Sequence, residues 1–127
     1  MKVTSYYPVF YTEDLETEAK RYTDDLGFSI VHDVEVKGTR YLILDNNGNR
    51  IDLINMVLPN KSFSTGFYGM RANVDNFEEG MEYFTKQGLK QEGAIREDKS
   101  SKVAVLVGRD GMRVVLFHHI KREKMML

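Results

Sequence analysis

The chain has 127 residues and no cysteine, which suits one compact domain or two small modules and excludes disulfides, thiolate metal sites and a cysteine nucleophile. Its 18 basic and 19 acidic residues leave a net charge of −1, so no basic surface for nucleic acid or anionic membrane is implied. No apolar run is long enough to span a bilayer or form a signal-peptide core, and a cytoplasmic protein is expected.

In chain order, residues 3–11 are rich in aromatic and branched side chains and read as a strand. Pro8 cannot donate to a ladder, which suggests an edge position or an irregularity there. A helix over 14–26 follows, because Leu15, Ala19, Tyr22 and Leu26 fall on one helical face and Gly27 stands where a helix commonly ends. Strands are expected near 28–36 and 39–45, parted by Lys37-Gly38. Asn47-Gly48 between Tyr41–Leu44 and Ile51–Ile54 is a strong hairpin signal.

The stretch 57–66 carries turn residues without periodicity and reads as a linker. It parts a module over 1–56 from a second over 67–119. In the second, Phe67–Val74 is a strand, and Asp75 with Glu78 can form a capping box for a helix over 76–87. Leu89–Glu97 and Val103–Val107 are strands, and Asp110-Gly111 turns the chain into Met112–His119. Residues 120–127 form a tail with no counterpart in the first half.

The second module repeats the first. Leu15 matches Phe77, Ala19 matches Met81 and Tyr22 matches Phe84 at an offset of 62 residues, and Gly27 matches Gly88 once one residue is deleted. Gly48, Arg50 and Leu53 match Gly111, Arg113 and Leu116 at an offset of 63. The fold class is therefore α+β: two tandem βαβββ modules. A unit of four strands is too small to bury its faces well alone, so the pair should form a curved sheet around a cavity with the helices outside.

Asp14-Leu15 and Asp25-Leu26-Gly27-Phe28, with the looser copy Asn76-Phe77 and Gly88-Leu89, resemble the vicinal-oxygen-chelate superfamily. That superfamily includes glyoxalase I, bleomycin-resistance proteins and extradiol dioxygenases. The resemblance covers about residues 3–119 and implies ligand positions on the first and last strand of each module. Here those positions are Tyr7, Asn55, Gly69 and His118, and of these only His118 suits a divalent ion. A slip of one residue brings Tyr6, Pro8, Ile54, Met56, Tyr68, Met70, Phe117 and His119 to these positions, and adds nothing outside the last strand.

Tyr7, Val9 and Tyr11 alternate onto one face of the first strand, an aromatic wall for an apolar or planar ligand or else a filled core or interface. Arg71, on the same face as Gly69, can hold a carboxylate or phosphate. Gly69 leaves room for a pocket or for close approach of another chain segment. His119 points away from His118, His32 reads as a solvated strand residue, and the acids of both helices read as solvated faces.

The leading expectation is a metal-free, cofactor-free binding protein, similar to the bleomycin-resistance branch, that holds a small, partly aromatic molecule between Tyr7, Tyr11, Tyr41, Asn55, Arg71 and His118. The alternatives are a glyoxalase-like lyase or dioxygenase-like enzyme with a degenerate site, His118 serving as acid/base, and a structural dimer whose cavity is filled. The resemblance also implies a homodimer.

Overall fold

Both halves adopt the βαβββ order in this computed structural model, which describes residues 1–56, 65–109 and 111–119. In the first half β1 (Val3–Thr12) leads to α1 (Leu15–Lys20), and β2 (Ser29–Val36), β3 (Thr39–Asn46) and β4 (Asn49–Asn55) follow. The second half repeats this with β5 (Thr65–Val74), α2 (Phe77–Lys86), β6 (Lys90–Glu97), β7 (Ser101–Val107) and β8 (Arg113–His119). The hydrogen-bonded strand order is β2-β3-β4-β1-β5-β8-β7-β6, so the two halves have corresponding orders, and the fold is α+β as expected. Most of the expected linker, the expected tail and Asp110 of the second hairpin turn lie outside the described residues.

The first helical segment is where the duplication is imperfect. Asp14 caps α1, its carboxylate accepting from the Thr17 amide at 3.2 Å and the Thr17 hydroxyl at 2.7 Å. After Lys20 the backbone widens into a π-helical turn, Arg21–Asp25. Phe28 N–H then reaches back to the Tyr22 carbonyl at 3.0 Å, whereas in the second half Leu89 N–H reaches Phe84. The first span is one residue longer, and that residue is the one the alignment has to delete. The π turn absorbs it. It also changes the helical phase, so Leu26, expected on the buried face, is 57% exposed. The second helix starts one residue later than the expected capping box. Asn76 accepts from the Glu79 amide at 3.0 Å, while Asp75 N–H donates to Lys2 O.

The strands follow the turn chemistry. Asn47 and Gly48 have φ of 52° and 88°, the left-handed pair that a two-residue hairpin of matching twist requires. Pro8 is not at an edge: β1 has a neighbour on each side, and its parallel ladder with β4 begins just past the ring at Val9↔Asp52. The edge strands are β2 and β6, and both carry a register shift at matching places, Ile30/His32 and Glu92/Arg96.

Contacts divide the chain into two compact units, Tyr7–Tyr68 and residues 1–6 with the chain from Gly69 onward. The start of β1 therefore belongs with the second half, where Thr4 Oγ1 donates to Asn73 O at 3.1 Å. We call these the β1–β4 unit and the β5–β8 unit. In the first, α1 packs Leu15 and Ala19 on Leu42, Leu44, Ile51 and Leu53. In the second, α2 packs Phe77 on Val74, Ala104 and Leu116. Each buried leucine contributes about 2 kcal/mol, enough that a helix face cannot be exchanged for a polar one.

Gly69 has a structural reason. A Cβ there would overlap the carbonyl oxygen of Arg113 on the neighbouring strand, so the glycine serves close approach of two strands rather than a wider pocket. Gly69→Ala is expected to cost about 3 kcal/mol, because backbone cannot give way as a side chain tip can. Gly88→Ala, at φ 96° in open space, should cost about 1 kcal/mol. Urea unfolding of both variants measures the difference, and equal losses would disprove the strand-contact account.

Candidate functional site

Paired residues on neighbouring strands share a face, and successive residues of one strand alternate between faces. In the β1–β4 unit the registers Phe10↔Leu53 and Leu42↔Leu53 define the face under α1. The registers Tyr11↔Ile54, Tyr41↔Ile54, Val9↔Asp52 and Ile43↔Asp52 define the opposite face. The structure thus brings Tyr11 and Tyr41 together on either side of Ile54, with Tyr7 on the same face of β1. It does not bring Asn55 to them. Asn55 follows Leu53 by two residues, lies on the helix side and is exposed.

The residue on the tyrosine face that the sequence reading passed over is Asp52. Its carboxylate sits in one row with Val9 and Ile43, one row from Tyr11 and Tyr41, and the residue is fully buried. The signal was present as a lone acid inside the run Ile51-Asp-Leu-Ile54, all four residues of which are buried.

The β5–β8 unit divides in the same way. Ala72↔Leu116 and Ala104↔Leu116 mark the face under α2. Arg71↔Val115, Asn73↔Phe117, Val103↔Phe117 and Ser101↔His119 mark the other. Arg71 is only 3% exposed; its guanidinium carbon lies 3.7 Å from the Phe117 ring centroid and its Nε donates to Asn73 Oδ1 at 2.9 Å. This is a desolvated cation held by stacking and a hydrogen bond.

His118 is on the helix side, two residues from Leu116, and so does not share a face with Arg71. Its Nδ1–H donates to the Val74 carbonyl at 2.9 Å, tying the end of β8 to the residue that closes β5. Its cross-strand partner Lys102 bonds Glu78 of α2 at 3.0 Å and lies 5.5 Å from the Phe77 ring centroid. Lys102, with the backbone at the start of α2, holds the Glu78 carboxyl below its ordinary range. His118 thus fastens the end of β8 to the end of β5, while its neighbour Lys102 ties β7 to α2. The helix acids are mostly solvated as expected, with one exception: Glu18 is buried and accepts from Arg21 Nη1 at 2.8 Å.

The donor chemistry does not fit the divalent ion that the resemblance associates with these strands. The helix-opposed face of β1 and β4 offers one carboxylate, Asp52, and among the described residues no three His, Asp or Glu side chains gather.

No protein-family model matches the chain, and no curated protein matches it in sequence. Solved structures do match. Methylmalonyl-CoA epimerase from Mycobacterium tuberculosis is similar at a TM-score of 0.71 and 17% identity, over 97% of this chain and 93% of that one. A variant of the Streptomyces coelicolor methylmalonyl-CoA epimerase, in complex with 2-nitronate-propionyl-CoA, is similar at 0.68 and 14%, over 93% and 96%. Hypothetical protein BH1468 from Bacillus halodurans C-125 is similar at 0.65 and 12%, over 91% and 95%. The chain shares the fold of these structures. Among the described residues no helix is long and apolar enough to cross a membrane.

His118→Ala is expected to lower stability by about 1 kcal/mol through loss of the Val74 bond, and to leave the helix-opposed faces unaltered. Urea unfolding checks the first expectation and NMR shifts of Arg71 and Phe117 the second. A fully stable variant with displaced Arg71 signals would return His118 to the other face.

Proposed function

We propose that the protein is a metal-free enzyme that transfers a proton on a small carbonyl compound, with the Asp52 carboxylate as acid/base and Tyr11 and Tyr41 beside it. The observation that carries this reading is the full burial of Asp52 on the helix-opposed face of β4. Burying a carboxylate costs several kcal/mol after relaxation. The corresponding position in the second half holds Val115, so the fold itself does not need an acid there.

Fold similarity to methylmalonyl-CoA epimerases supports the choice of chemistry. Inverting a carbon next to a thioester carbonyl means removing a proton and returning it, which is work for a positioned carboxylate. Tyrosine hydroxyls near it are suitable donors to the carbonyl oxygen as it gains charge. A second reading, a metal-free protein that binds a small, partly aromatic molecule, is favoured by the deep burial of Tyr7, Tyr11 and Tyr41 on the strand face that also carries Asp52. Both readings keep the cytoplasmic, homodimeric protein that composition and resemblance imply, and light scattering tests the assembly.

Incubation with methylmalonyl-CoA in deuterium oxide separates the readings. Under the enzyme reading, NMR shows solvent deuterium entering the carbon between the carbonyls faster than without protein. Chelator does not slow it, and Asp52→Asn lowers the rate about 1,000-fold. Saturable binding of the thioester without exchange would establish the binding reading instead, and neither binding nor exchange would overturn both for this class of ligand.

A further inference from the structure

We propose that the π turn Arg21–Asp25 of the β1–β4 unit is a binding site for a small zwitterion, an α-amino acid with a short aliphatic side chain. Arg21, Tyr22, Asp25 and Leu26 line an opening of about 160 Å³ at this turn. At about 30 Å³ for each water, that is room for about five waters, which one such molecule can replace. Turns of this kind inside helices frequently stand at functional sites.

The turn sets its lining in two columns. Hydrogen bonds in a π helix run from each residue to the fifth along, so residues four or five apart stand one above the other. Arg21 stands with Asp25, and Tyr22 with Leu26. One edge of the opening thus carries a cation and an anion, and the other an aromatic ring and an aliphatic side chain. Glu18, itself buried, holds the guanidinium through Nη1 at 2.8 Å, and the remaining N–H groups of Arg21 can take a ligand carboxylate. Glu18 first, and the nearby Asp25 charge last, raise the Arg21 pKa above its ordinary value. Arg21 and Asp25 therefore interact, yet among the described residues they form no ion pair with each other, and Asp25 is exposed. The gap between them suits a ligand that carries both charges. Tyr22 packs edge-on against Phe28 at 5.7 Å and on the core under α1, which fixes its ring as a wall, and the exposed Leu26 supplies uncovered apolar surface.

The fold does not require this arrangement. In the second half Tyr83 and Phe84 stand where Arg21 and Tyr22 do, and α2 runs to Lys86 without a π turn. The site lies on the helix of the β1–β4 unit and its readout is binding rather than proton exchange, so its failure and that of the proton-transfer reading are told apart. The isotopically labelled full chain is titrated with L-valine, and separately with isobutyrate and isobutylamine, which carry one charge each, at constant ionic strength. Saturable NMR shifts centred on Tyr22, Asp25 and Leu26 are expected with valine, and binding about tenfold weaker with either single-charge compound. Asp25→Asn should leave the melting temperature unchanged, since it alters an exposed side chain, while weakening valine about tenfold. A folded Asp25→Asn chain with unaltered valine affinity would overturn the site. So would equal binding of either single-charge compound, or the absence of saturable shifts at the π turn in the parent protein at tens of millimolar.

Discussion

Each helix packs on one parity of residues in its own strands, and that choice assigns every other side chain to a face. Under α1 the parity is Phe10, Leu42, Leu44, Ile51 and Leu53; under α2 it is Val74, Ala104 and Leu116. A strand slipped by a single residue would turn Asp52 and Arg71 into the helix contacts and expel the leucines. At about 2 kcal/mol for each buried leucine, such a slip is prohibited many times over. The polar residues on the opposite faces are held in place by this arithmetic without contributing to it.

That constraint explains how the duplication tolerates an inserted residue. An extra residue inside a strand would exchange its faces, but one inside a helix shifts the phase by about 100° per residue. Here the extra residue lies between Tyr22 and Phe28 and is taken up by the π turn Arg21–Asp25. The cost is local: Leu26 leaves the buried face, and Asn46 Nδ2 closes the Leu26 carbonyl at 2.9 Å. Tyr22 still packs with Phe28 on the core as the module requires.

The fold was legible because its signals repeat. Two helical stripes, two glycine ends and the Asn47-Gly48 turn appear at consistent spacings, and each strand lies within a few residues of its expected bounds. The site was less legible, and the reason is parity again. Tyr41–Leu44 and Ile51–Ile54 are buried on both faces, so their sequences do not alternate and do not reveal which residues face a helix. Counting from the hairpin glycines cannot by itself fix a face there, and Asn55 and His118 both lie on the helix side. On β1, by contrast, Tyr7, Val9 and Tyr11 alternate with less buried neighbours, and the strand shows its two faces in the sequence.

The two halves differ most where the helices do not constrain them. On the helix side, Leu15 and Phe77 correspond, as do Leu53 and Leu116, and apolar replaces apolar. On the opposite faces the pair Val9↔Asp52 becomes Arg71↔Val115, so the charge changes sign and moves from the last strand to the first. Ile54 becomes Phe117, and Tyr7 becomes Gly69. Buried charge is expensive wherever it lies, and a duplicated core has no packing need to place it differently in its two copies. The helix-opposed faces were therefore free to diverge in chemistry while the hydrophobic layers kept both strand orders the same. A fold used for support on one face and for chemistry on the other would diverge in this pattern.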